Sequence, residues 1–183
     1  MLKLIGLNKQ NDSGQALVEF ALTLWMYILI TFFIIDFGWV SYQRISFEYG
    51  YMHSSWSVSA ADLGDTDALE EVPSTAVYAG AVVSDVLFDV LSRSSLGIIG
   101  GNVTIADANA VLYNQADSYN VPGRTPGNPV QAISRTRYMD LTADFSYVIQ
   151  PLTPIGSLFL GNDITVEKEL TCTRVVRTQH RSE

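Results

Sequence analysis

Two histidines, a single cysteine and a run of carboxylates are the side chains of this 183-residue chain that could do chemistry. A histidine acts as a general base when a hydroxyl or thiol stands within hydrogen-bond reach and a third group orients the ring. His53 lies in an uninterrupted helical pattern and His180 near the carboxyl end, so neither has a local serine, cysteine or aspartate arrangement of that kind. Cys172 is alone, which excludes an intramolecular disulfide and a zinc site built on paired cysteines. Its place in an alternating pattern makes it a small core residue. Asp62, Asp65, Asp67, Glu70 and Glu71 surround Gly64, but their order does not match an EF-hand loop, and a solvated acidic linker ending at Pro73 is expected. Gly97, Gly100 and Gly101 read as a helix terminator rather than a phosphate cradle. No G-x-S-x-G, H-E-x-x-H or Walker glycine loop is present. The expectation is a protein that is not an enzyme, with no catalytic residues, no cofactor and no metal.

Two further carboxylates, Glu19 and Asp36, bracket the stretch that organises the chain. From Phe20 to Ile35 there is no charged side chain, and with its flanks the run reaches about 25 residues, against the roughly 20 a bilayer-spanning helix needs. It is apolar all round, so only a bilayer or a pack of similar helices would bury every side. Lys3 and Lys9 precede it and favour an inside N-terminus, a bias kept small by Arg44 beyond the other end. A removable secretory signal has a shorter apolar region closely followed by a small-residue site; here the nearest such site, at Val58 to Ala60, lies far beyond Trp39. The net charge of -8 and scattered basic residues leave no stripe for phosphate backbones, so nucleic acid is excluded as a partner.

A short basic leader ending in Gly14, then Gln15-Ala16-Leu17-Val18-Glu19-Phe20 opening the apolar helix, resembles the class III signal of type IV pilin-like proteins. The longer string GQALVEFAL, continued by IIDFGW, resembles the TadE-like minor pilins, or pseudopilins, of the tight-adherence (Tad) pilus, and the Tyr147 to Gly161 segment resembles their carboxyl-terminal portion. The resemblance implies cutting by a prepilin peptidase between Gly14 and Gln15, which makes Glu19 the fifth residue of the mature chain. It implies that Glu19 and Phe20 serve assembly. The implied partners are the membrane, the peptidase, other pilin or minor pilin subunits and the assembly machinery. The implied location is the bacterial cytoplasmic membrane, single-pass with the N-terminus inside, the head extracytoplasmic or carried in an extracellular pilus. The alternative is a permanently anchored binding module, an adhesin or sensor, that enters no filament and needs neither Gly14 nor Glu19.

The expected organisation is a leader over 1–14, a transmembrane helix over 15–40, its extension over 41–62, and a head over 63–183. A helix from Ala16 to about Ala60 would be roughly 67 Å long. Tyr42, Ile45, Tyr49, Met52 and Trp56 recur at spacings of three and four, a stripe read as a core seam, with Phe47, Tyr51 and Val58 as a second row and Gly50 as a place for a bend. Ser74 is placed as the cap of a second helix carrying Val83, Leu87 and Leu91, with Asp89 and Arg93 in the favourable order for an ion pair. Asn102 to Ile105 opens a short strand, Asn114 to Val130 has the composition of an irregular loop, and Met139 to Ile149 and Ile164 to Val176 alternate as half-buried strands. The tail from Thr178 is expected to fray. The fold class is α+β: a long N-terminal helix packed with a second helix on a small antiparallel sheet.

Overall fold

The computed structural model describes residues 8–65, 74–123 and 129–182, with side chains over 14–65, 74–123 and 129–179. It has the expected α+β character, a long helix, a second helix and a four-stranded antiparallel sheet. Helix α1 spans Asn8–Ser57 and contains no proline. It starts upstream of the expected Ala16. A 3₁₀ turn at Ala61–Leu63 follows, closed by Gly64 at φ 82°. Ser59 donates its backbone N–H and hydroxyl to Asp62 Oδ2 at 2.9 and 2.7 Å. The hydroxyl bond is the main reason that the Asp62 carboxyl lies below its usual range.

Ser74 does not cap a helix. Thr75–Tyr78 is a short strand, β1, and helix α2 follows at Gly80–Ser94 after Ala79. Thr75 to Tyr78 alternate exposed and half-buried, which suits pairing with a neighbouring strand better than a helical turn. The Ser74 carbonyl accepts from Asn114 N at 3.0 Å. Helix α2 buries Val83, Leu87 and Leu91, and its Asp89–Arg93 pair forms at 2.6 Å, as the spacing predicts. Strands β2 (Val103–Val121), β3 (Val130–Ile149) and β4 (Ile164–Ser182) complete a sheet of order β1-β2-β3-β4.

Two stretches read as irregular are therefore strand. Asn114 to Val121 pairs in register with Arg137 to Val130, and β4 continues through the expected fraying tail to Ser182. Side-chain polarity reports which strand face is wet, not whether the backbone is paired, and the turn signals Pro122, Gly123 and Pro129 lie only between β2 and β3. A register shift between Ala106 and Asn109, with Asp107 at φ 48°, is a bulge that bends β2.

The chain forms two compact units: α1 as far as Tyr42 with Ile149–Ile164, and the chain from Gln43 to Val148 with the remainder from Thr165. In the second unit, Met139, Leu141, Ala143, Phe145 and Tyr147 are the buried row of β3, confirming the alternation. Phe47 stacks on Tyr147 at 5.1 Å and Tyr51 meets Phe145 edge-on at 5.4 Å. Helix α1 continues through Gly50, whose missing side chain admits α2: a Cβ there would lie 1.8 Å from Ser95 Oγ.

The stripe read as a core seam faces outward. Tyr42, Ile45, Tyr49, Met52 and Trp56 are exposed, Trp56 by 81%, while Gln43, Ser46, Phe47, Gly50 and Ser54 face the interior. Helical period fixes which residues share a face, not which face is inward. The polar inward groups are tolerated because they are bonded. Gln43 donates to the Gly97 carbonyl at 2.8 Å and accepts from the Tyr147 hydroxyl at 2.5 Å, and Ser46 donates to the Leu96 carbonyl at 2.6 Å.

Asp65 is likewise not solvated. Arg137 occupies an inward position of β3 and donates from Nη2 and Nε to the two Asp65 oxygens at 2.6 and 2.8 Å, with both side chains buried. Asn114 Oδ1 accepts from Arg137 Nη1 at 2.7 Å, and the Tyr78 hydroxyl donates to Asp65 at 3.1 Å. Burial, then the bond to Asp65, raises the Tyr78 pKa. Asp67, Glu70 and Glu71 lie outside the described residues. Asp65→Ala leaves a buried guanidinium uncompensated and should cost about 3–5 kcal/mol, whereas Asp65→Leu combined with Arg137→Met should cost much less. Denaturant unfolding of the full chain in detergent checks this; equal losses for the two variants would contradict it.

Candidate functional site

Helix α1 is, among the described residues, the one helix long and apolar enough to cross a membrane, with mean hydropathy 2.1 over its best window and no residue of that window buried by the chain itself. The residues singled out at its start share one stretch of exposed helix surface. Gln15 Nε2 donates to Glu19 Oε1 at 2.9 Å, one turn on, and Thr23 Oγ1 donates to the Glu19 carbonyl at 2.8 Å. Phe20 is exposed and lies about 100° around the helix from Glu19. The Gly14–Gln15 bond lies inside α1, and a glycine there weakens the helix locally by about 1 kcal/mol relative to alanine.

The second carboxylate, Asp36, has partners that the sequence reading did not supply. It is completely buried. Its Oδ1 accepts from the backbone N–H groups of Leu152 and Thr153 at 2.7 and 3.0 Å, and its Oδ2 accepts from the Thr153 hydroxyl. Thr153 Oγ1 in turn accepts from Gly156 N at 3.1 Å, capping a short helix α3 at Pro154–Leu160. Gly156 is required by contact: a Cβ there would lie 2.1 Å from Asp36 Oδ2. Trp39 Nε1 donates to the Gln150 carbonyl at 3.2 Å, and Gln150 Nε2 donates to Asp163 at 2.9 Å. Phe159 meets Phe33 edge-on at 6.1 Å. The signals were present: threonine before proline is a helix start, and a lone aspartate in an apolar run requires donors.

His53 gains neighbours that its sequence position did not suggest. Its Nδ1 lies 2.8 Å from both Ser57 Oγ and Ser94 Oγ, at the edge of a groove of about 360 Å³ that also includes Asp62 and Asp89. The two hydroxyls compete for one ring nitrogen. The carboxylates are engaged elsewhere, Asp62 by Ser59 and Asp89 by Arg93. No serine is thus paired with an oriented base in the manner that acyl transfer needs. His180 lies outside the described side chains. Among the described residues no group of three or more metal-ligating side chains converges.

Comparison with known proteins agrees with the motif at the start of α1. Residues 14–50 match the family model described as TadE-like protein, so this stretch is similar to that family. It contains Glu19 and Asp36; the resembling segment Tyr147 to Gly161 lies outside the matched residues. No curated protein and no solved structure matches the chain.

The geometry around Asp36 makes two substitutions informative. Asp36→Ala removes the acceptor of two part-buried N–H donors, a loss of about 1 kcal/mol, and Gly156→Ala overpacks the same contact at a cost of about 1–3 kcal/mol. Both variants should be cut faster than the parent between Gln150 and Asp163 in limited proteolysis of the micelle-bound chain, read by mass. Cutting at the parent's rate would mean that the contact does not hold the segment.

Proposed function

We propose that this chain is a minor pilin or pseudopilin of a tight-adherence pilus, acting in pilus biogenesis and surface adhesion. The observation that carries the reading is a helix that opens with Gly14, Gln15 and Glu19 and whose most apolar window has no residue buried by the chain itself. Such a helix needs a bilayer before assembly and packed neighbouring helices after it. Residues 1–14 are the cytoplasmic leader, 15–40 span the cytoplasmic membrane with the N-terminus inside, 41–62 extend the helix outward, and the remainder is the extracytoplasmic head. The prepilin peptidase removes the leader after Gly14. The exposed row Ile45, Tyr49, Met52 and Trp56 gives the extension an apolar face for a neighbouring subunit.

Glu19 has a specific part in this scheme. In a single chain its carboxylate is exposed and accepts from the Gln15 amide, and its place at the edge of the span lets it reach water and headgroups. In a packed bundle water and headgroups leave, and an ionised carboxylate then requires a compensating charge. The amino group that cleavage creates at Gln15 of a neighbour supplies one and fixes the axial register. Removal of the leader thus produces the partner that Glu19 needs.

Intact mass of the protein from membranes that contain the peptidase should correspond to a chain beginning at Gln15; a chain still beginning at Met1 would favour the anchored module instead. Glu19→Gln and Glu19→Ala should insert and be trimmed as the parent is, yet be depleted from assembled complexes. The ratio of mature protein in complexes to that in membranes measures this. An unchanged ratio for both variants would remove Glu19 from the assembly contact.

A further inference from the structure

The segment from Gln150 to Asp163 is a second apolar surface, remote in sequence from α1 but packed with it. From Pro151 to Asn162 it has no charged side chain. Leu152 is exposed, and α3 presents Leu158 and Phe159 outward, 80% and 61% exposed. Three large apolar side chains so close together form a patch that needs a partner. The contacts of the segment along α1 indicate which one. At Trp39 its neighbour is the carbonyl of Gln150, whose side chain bonds Asp163; at Asp36 its neighbours are Leu152 and Thr153; at Phe33 its neighbour is Phe159. Both elements therefore change from polar to apolar in the same direction. That is the order met on passing from headgroups into hydrocarbon, with an indole at the boundary where such rings concentrate. Phe33 and Trp39 are separated by about 9 Å of helix rise, within the depth of about 5–10 Å that interfacial helices reach.

We infer that Pro151–Gly161 is embedded in the membrane, with α3 lying in the leaflet on the side of the head and Leu158 and Phe159 in contact with lipid acyl chains. The inference rests on α1 being a membrane span, and it removes this segment from the water-exposed head. Backbone in hydrocarbon must have its polar groups satisfied by protein. Asp36 accepts the Leu152 and Thr153 N–H groups, Thr153 Oγ1 accepts that of Gly156, and the Ser157 carbonyl accepts that of Gly161. An aspartate within the apolar run thereby has a purpose: it supplies acceptors for the turn by which a second element enters the bilayer.

The test uses the full chain with Cys172→Ser and one nitroxide-labelled cysteine, introduced by Leu158→Cys, Leu24→Cys or Asp117→Cys, in phosphatidylcholine–phosphatidylglycerol vesicles. All three positions are exposed, so the label displaces no packed side chain. Collision with oxygen, which concentrates in lipid, is compared with collision with a water-soluble nickel chelate. Oxygen should dominate several-fold at 24 and 158, with 158 the shallower, and the chelate should dominate at 117. If 24 reports lipid while 158 behaves as 117 does, or is shielded from both reagents as against a second copy of the chain, the inference is overturned and the span stands. If 24 itself reports water, the span reading fails and this inference fails with it.

Discussion

Where the head packs on α1, the contact is made by the helix's small and polar residues. Gln43, Ser46, Gly50 and Ser54 lie inward with Phe47; the side chains of Gln43 and Ser46 are bonded to the head, and the Ser54 hydroxyl to the Tyr51 carbonyl of its own helix. Everything else in that unit follows from this inversion. Gly50 lets the end of α2 approach to contact distance, the Tyr147 hydroxyl accepts from Ile99 N while donating to Gln43, and β3 is drawn onto the helix by aromatic stacking. The large apolar residues are left on the far face. A helix that must be apolar outward along its length has little choice but to recognise its own domain by hydrogen bonds and close approach.

Buried carboxylates hold the two units internally, and they do so differently. Asp65 is paired with Arg137, a full charge opposite a full charge, with Asn114 and Tyr78 completing the set. Asp36 is held instead by neutral donors, among them two backbone amides and a hydroxyl. The first arrangement gives specificity through charge pairing, since either member alone would be strongly unfavourable. The second resembles helix capping, in which a carboxylate replaces the water that orphan amides would otherwise require. Each joins residues distant in sequence, so each fixes tertiary arrangement rather than local structure.

Much of this was legible in the residues. The apolar run, the motif at Gly14 to Phe20, the alternation of β3 and the Asp89–Arg93 pair all express a local period or spacing, and the structure has them. What was not legible depends on partners. Asn114 to Val121 is strand because Val130 to Arg137 lies beside it, and β1 exists because β2 does. The inward face of α1 is set by hydrogen bonds to Leu96 and Gly97, which no helical wheel contains. Asp36 and Asp65 were visible as carboxylates, but their donors lie far along the chain. The partners of His53 were hidden for the same reason: Ser57 is local, while Ser94 is brought by α2.

The order β1-β2-β3-β4 places β4, 19 residues long, at a margin of the sheet, where α1 meets part of it: the Tyr51 hydroxyl donates to the Glu169 carbonyl at 2.6 Å and Arg174 donates to the Ser55 carbonyl at 3.4 Å. A long margin is a template for another chain to add a strand wherever it is not covered. Glu167, Lys168, Glu169, Arg174 and Arg177 interrupt it, and charges on a margin are the usual safeguard against such growth. Adhesion between copies through main-chain pairing is thereby discouraged. Charged side chains on β4 disfavour sheet extension, whereas α1 exposes an uncharged apolar row at Ile45, Tyr49, Met52 and Trp56.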